Sequence, residues 1–293
     1  MQNSPMAEPH IRVYGAATMD TGLGMPEVER TLPPLERLWN SGALRKSLFL
    51  LALALVWEGY ARVLDNPLLF PTLSETLDAG WDAILSGVLP NRAWTSLRVL
   101  LMGYSIGILL AAALSVLAIG TRVGTDILET LTSMFNPLPA IALLPLALIW
   151  FGLGTGSLVF VLVHSVLWAV ALNTHAGFLG VSQTLRMVGR NYELRGLRYV
   201  WLILIPAAFP SILTGLKVGW AFAWRTLIAA ELVFGVSSGK GGLGWFIFEN
   251  RNILEIPSVF AGLLTVILIG LAVENLVFRT IERRTVRRWG VQG

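Results

Sequence analysis

The chain has 293 residues, of which 55% are hydrophobic and 14% charged, well below the roughly 25% charge of a soluble domain. Its mean hydropathy of +0.67 places it with membrane proteins, and the lack of cysteine excludes disulfide and thiolate chemistry. The net charge of +4 and pI near 9.8 do not point to nucleic acid, because the basic residues form no single stripe. They gather at the termini and in one internal loop, where cytoplasmic segments carry Lys and Arg. His10, His164 and His175 are too scattered for a His-based metal site.

Residues 1–43 are polar and carry Pro5, Pro9, Pro26, Pro33 and Pro34. They read as a loosely ordered tail with a short interfacial helix near 34–43, and they hold no apolar h-region of a cleavable signal peptide. Six segments then suit helices crossing about 20 residues of hydrocarbon, near 46–63, 97–119, 136–153, 157–176, 207–233 and 258–279. The third is short, and Pro137, Pro139 and Pro145 predict a late start or a kink. Two helices carry small residues at every fourth position, Gly103, Gly107, Ala111, Ser115 and Gly215, Gly219, Ala223. These rows predict close helix contact within one bundle rather than a dedicated dimer seam. No internal repeat is visible.

With the N-terminus cytoplasmic, fifteen Lys and Arg fall inside, among them Arg45, Lys46, Arg122, Arg186, Arg190, Arg195, Arg198 and five from Arg279 to Arg288. Five fall outside: Arg62, Arg92, Arg98, Lys240 and Arg251. That asymmetry predicts an all-α, multi-pass helix bundle of about six transmembrane helices with both termini cytoplasmic. The membrane domain spans 44–280, between the N-terminal tail 1–43 and a basic C-terminal tail 281–293.

The glycine-rich stretch GVSSGKGGLG at 235–244 misses a phosphate-binding loop by one residue of spacing and lacks the Ser or Thr after Lys240. It reads as a flexible turn. No nucleophile motif is legible. Ionisable residues inside apolar runs cost roughly 2.5–3.5 kcal/mol at a helix centre and should face protein or water. They are Glu58, His164, Lys217, Arg225 and Glu231. Glu58 and Arg62, at i and i+4, read as a static ion pair. Lys217 and Glu231 fall about 40° apart in helical projection and could line one side of a passage. For Arg225 and Glu231, lining a pathway and structural pairing both stand. His164 reads as a buried, hydrogen-bonding histidine.

The loop LRMVGRNYELRGLRYVWLILIP, 185–206, holds four arginines. Residues 182–192 can form a short polar helix on which Arg186 and Arg190 share a face. Their repulsion calls for an acidic partner or lipid phosphate, and Gly189 and Gly196 allow close approach or a bend. Here the sequence resembles the permease subunits of binding-protein-dependent ABC importers, above all the branch that handles nitrate, sulfonates and taurine. Aligned on Pro206, Met187-Val188-Gly189 stands at that family's Glu-Ala-Ala, Glu193 at its glycine, and Ile203-Leu204-Ile205-Pro206 closes the motif. Also similar are VWEGY at 56–60, FPTLSETL at 70–77, NPLPAIALLPLALIWFGLG at 136–154, PAAFPSILTGLKVGWAFAWRTLIAAEL from Pro206 and GLGWFIF at 242–248.

The resemblance implies a type I importer permease in the bacterial inner membrane. Two copies form the pore, two cytoplasmic ABC ATPase subunits bind ATP and Mg, and a periplasmic protein delivers a small anionic solute. The chain itself would hold no cofactor or metal and catalyse nothing. The loop at about 178–200 would be its coupling segment, through Arg186, Gly189, Arg190, Asn191, Tyr192, Glu193 and Gly196. With Glu193 in place of glycine the bend there is in question, and Gly196 is the alternative. His164, Lys217, Arg225 and Glu231 are the pathway candidates. Two rival readings are a stand-alone secondary transporter or channel, which predicts uptake without an ATPase, and a lipid-modifying enzyme, which needs an acid, base or metal cluster that the sequence does not show.

Overall fold

Every regular element among the described residues is a helix, as hydrocarbon demands of a chain that must satisfy its own backbone polar groups. The computed structural model describes residues 41–234 and 241–286. The expectations for the N-terminal tail, for most of the glycine-rich stretch with Lys240, and for the end of the basic tail lie outside those residues. Two compact units divide at Trp57 and Glu58. The first holds the start of α1 (Gly42–Leu64), whose Phe49, Leu50, Leu55 and Val56 are all exposed, the surface of a helix bathed in lipid.

In the second unit, α2 (Leu73–Leu85) begins with a capping box. Thr72 Oγ1 accepts from Glu75 N at 3.1 Å while Thr72 N donates to Glu75 Oε2 at 2.8 Å. Glu58 pairs with Arg62 at 2.7 Å as expected, and it also accepts from the hydroxyl and N–H of Ser74, fastening the end of α1 to α2.

Helix α3 (Val88–Gly120) starts nine residues before the predicted span. Its polar first turns, with Asn91, Arg92, Thr95 and Ser96, continue the helix because protein partners meet them there. The predicted third span, 136–153, is corrected by the structure. Helix α4 (Arg122–Phe135) stops at Asn136, a 3-10 turn covers Ala140–Leu143, and α5 (Leu144–Phe151) is only eight residues long. The two arms meet at 87°. Pro137 and Pro139 remove two backbone donors within three positions, so no helix passes through them, whereas Pro145 sits in the first turn of α5, where no donor is needed. Five helical runs are therefore long and apolar enough to cross a bilayer, and a sixth crossing exists only if the bent pair counts as one.

Helix α6 (Thr155–Leu179) is the centre of the bundle and half of its spanning window is buried. Both small-residue rows pack on it. A Cβ on Gly103 would lie 2.5 Å from Leu162 Cβ and one on Gly107 2.7 Å from Val166 Cβ. One on Gly215 would lie 2.8 Å from Asn173 Cβ, and one on Gly219 3.1 Å from Val170 Cγ2. Between lipid-exposed helices contact comes from packing rather than from exclusion of water, so these glycines set how closely α3 and the fifth crossing approach α6.

After the short α7 (Gln183–Asn191), the fifth crossing starts with α8 (Gly196–Tyr199), passes through a π-helical turn at Val200–Leu204 and continues as α9 (Ile205–Phe234). It is helical eleven residues earlier than predicted. The widened turn, closed by Ile205 N to Val200 O, comes just ahead of Pro206, which has no N–H to donate to the turn before it. Helices α10 (Leu243–Asn252), α11 (Ile256–Ala272) and α12 (Arg279–Arg284) follow, with a second π turn at Val273–Phe278.

Candidate functional site

Helix α7 projects from the end of α6, and its own side chains hold it there. Ser182 caps its start by accepting from Leu185 N. Arg186 folds back onto the C-terminus of α6, donating to Phe178 O at 2.6 Å and Val181 O at 3.1 Å. This corrects the expectation that Arg186 needs an external acid. The exposed carbonyls at a helix end carry the negative pole of its dipole and answer the guanidinium within the chain. Only Arg190 of the pair remains exposed without a partner among the described residues. Gly189 is buried because the ring of Tyr199 lies against it; an added Cβ would sit 2.7 Å from Cε2.

The end of α7 resolves the position of Glu193. Leu194 N donates to Gly189 O at 3.0 Å and Glu193 N to Arg190 O at 2.9 Å. That is the bond pair of a Schellman cap, whose pivotal residue is left-handed and usually glycine. Glu193 occupies it with φ 53°. The bend expected of a glycine is thus kept at Glu193 itself, and Gly196, φ 56°, adds a second bend instead of substituting for the first. Just before them Met187, Arg190, Asn191 and Tyr192 form an exposed surface, with Tyr192 76% exposed.

A partly open cavity of about 310 Å³ lies at the break between α4 and α5, bordered by Asn136 to Ile141, His164, Ser165, Trp168, Phe222, Arg225 and Thr226, with Arg225 and Phe222 exposed. The structure brings His164 and Arg225 together here. Neither ring nitrogen of His164 has a hydrogen-bond partner among the described residues, contrary to the expected hydrogen-bonding histidine; its ring instead meets Phe135 and Trp168 edge-on. Arg225 donates to Ala221 O at 3.0 Å and lies over the Phe222 ring, with no acidic partner among the described residues. A second cavity, of about 300 Å³, shares Asn136 and Pro137 and reaches His175 and Glu129.

The family described as "Binding-protein-dependent transport system inner membrane component" matches residues 103–287, beginning at the first small-residue row. The chain belongs to this family. It is 30% identical to a putative ABC transporter permease of Methanocaldococcus jannaschii, over 80% of this chain and 89% of that one. The taurine transport system permease of Escherichia coli is 29% identical over 80% and 86% of the two chains, and the nitrate import permease of Synechocystis 26% over 83% and 90%.

In the permease, the other two pathway candidates sit apart from the cavity. Lys217 bonds Glu282 at 2.7 Å and lies 3.9 Å from Glu274, tying α9 to the last helical run. Glu231 is 3% exposed and accepts from Ser96 Oγ at 2.8 Å and from Gly244 N at 2.9 Å. Ser96 in turn accepts from Leu243 N at 2.8 Å, so one carboxylate and one hydroxyl satisfy the first donors of α10. Gly242 and Gly244 leave the space: a Cβ on either would collide with Glu231. Arg92 adds bonds to Gly241 O and Glu249. Sequence reasoning missed Ser96, Arg92 and Glu249; the polar cluster at 91–96 was the available signal.

Proposed function

We propose that this permease is the membrane subunit of an ATP-driven importer for a small anionic solute of the nitrate, sulfonate or taurine kind. Two copies form the pore, two cytoplasmic ABC ATPases bind ATP and Mg beneath it, and a solute-binding protein delivers from the periplasm. Both termini lie in the cytoplasm, in keeping with fifteen basic residues on that side against five. The observation that carries the reading is α7: a short helix anchored at both ends, presenting Met187, Arg190 and Tyr192 beyond the membrane core. A helix so held transmits a push from a docked subunit instead of bending under it. ATP binding then biases a two-state bundle from a ligand site on another chain. The solute class is supported by the names of the relatives and by Arg225, which borders a cavity and has no acidic partner among the described residues. Lys217 and Glu231 take structural roles, holding α12 and α10.

The chain has no native cysteine, so single cysteines at Arg190 and Tyr192 report cleanly. Cross-linking to a co-expressed ATPase that changes with nucleotide is the expected result. Vesicles holding the permease alone should accumulate nothing; pumping without the ATPase would overturn the reading.

A further inference from the structure

Four observations meet at the cavity under the α4–α5 break. First, the backbone at 136–139 is not helical within an apolar segment. Irregular backbone at membrane depth is tolerated where it is buried in protein or lines a polar cavity, and this stretch borders the cavity. Second, Arg225 uses one of its five N–H donors on Ala221 O, and no Asp or Glu among the described residues lines the cavity. Third, Trp168 is 7% exposed and its Nε1 has no acceptor among the described residues. The indole adds a donor and no acceptor to this part of the bundle. Fourth, the hydroxyls of Ser165 and Thr226 lie 3.1 Å apart at the cavity, and Ser165 Oγ also lies 3.2 Å from Val161 O, so this pair places rotatable hydroxyl groups on the wall. The wall thus joins a positive charge and hydroxyl groups to apolar side chains, with no carboxylate among the described residues. The volume suits a small molecule.

We propose that this cavity is a subsite for the oxyanion group of the transported solute, a sulfonate or nitrate, held by Arg225 and Thr226. The planar guanidinium fork matches two oxygens of such a group, and a third oxygen is left for the Thr226 hydroxyl. The proposal rests on the importer reading for the solute's class, but binding here does not depend on ATP.

The test uses the permease–ATPase complex with Thr226→Cys as the permease's single cysteine, and in parallel Asn136→Cys on the opposite wall, which leaves the hydroxyl pair intact. Labelling of the permease chain, read by mass, is compared for a methanethiosulfonate bearing an ethylsulfonate and one bearing a trimethylammonium group. Each rate is normalised to a free thiol in solution. The sulfonate reagent should react about tenfold faster, a preference equal to about 1.4 kcal/mol. Nitrate, taurine and ethanesulfonate should each slow it at constant ionic strength, and glycerol should not. Adding Arg225→Gln should abolish the preference and Arg225→Lys should keep part of it; Arg62→Gln, which removes an exposed cation elsewhere, should leave it intact. Equal rates for both reagents at both reporters, or no protection by any of the three anions, would overturn the subsite while leaving ATP-driven import standing. Protection without ATP-driven uptake would instead remove the importer reading and keep the subsite.

Discussion

The hydroxyl of Ser96 donates to the carboxylate of Glu231 at 2.8 Å across 135 positions of sequence. The carboxylate is almost fully buried, its hydrogen-bond donors among the described residues are one hydroxyl and one backbone N–H, and it is where α3, α9 and α10 meet. Removing either partner strands the other, at about 1–3 kcal/mol. Ser96→Ala and Glu231→Ala should each lower the unfolding midpoint of the detergent-solubilised permease. Because they share one network, the double substitution should cost clearly less than the sum. Additive losses would show that the two residues act separately.

Glu193 holds a left-handed conformation that costs a non-glycine residue roughly 1–2 kcal/mol. Glu193→Gly should therefore stabilise the permease by about 0.5–1 kcal/mol, after the extra chain entropy of glycine is deducted. Glu193→Val should do the opposite. Thermal unfolding of the three proteins checks the order.

Gly189→Ala would place a methyl 2.7 Å from the ring of Tyr199, and overpacking of this kind costs about 1–3 kcal/mol. The expected outcome is reduced ATP-driven uptake through a displaced α7. Adding Tyr199→Ala removes the ring and should restore part of the uptake. A double variant no better than Gly189→Ala would separate the glycine from Tyr199.

Lys217 and Glu282 are each about a quarter exposed and 2.7 Å apart. A double-mutant cycle of Lys217→Met and Glu282→Gln should yield a coupling energy of up to about 1 kcal/mol, decreasing with salt. Zero coupling at low salt would remove the pair from the account of how α12 is held.

Much of the architecture was already legible in the linear sequence, for physical reasons that act locally. Long apolar runs must be helices in lipid, so α1, α6, α9 and α11 could be placed from side chains alone. The small-residue rows at Gly103 and Gly215 announced the closest contacts because only the absence of side chains permits them. Glu58 and Arg62 paired as their spacing dictates.

What needed the tertiary structure were the partners of polar atoms and the fate of prolines. Arg186 and Arg190 look equivalent in sequence, yet only one reaches the carbonyls at the end of α6. Lys217 and Glu231 lie on similar faces of one helix but are answered by different elements, because the neighbours around a helix change along its length. Pro137 and Pro139 signalled a disturbance; that the chain turns by 87° there and borders a cavity with Arg225 and His164 was set by packing against α6 and α9. Hydrocarbon side chains declare their environment by composition, whereas a charge or hydroxyl acquires its role from whichever atom the fold brings within 3 Å.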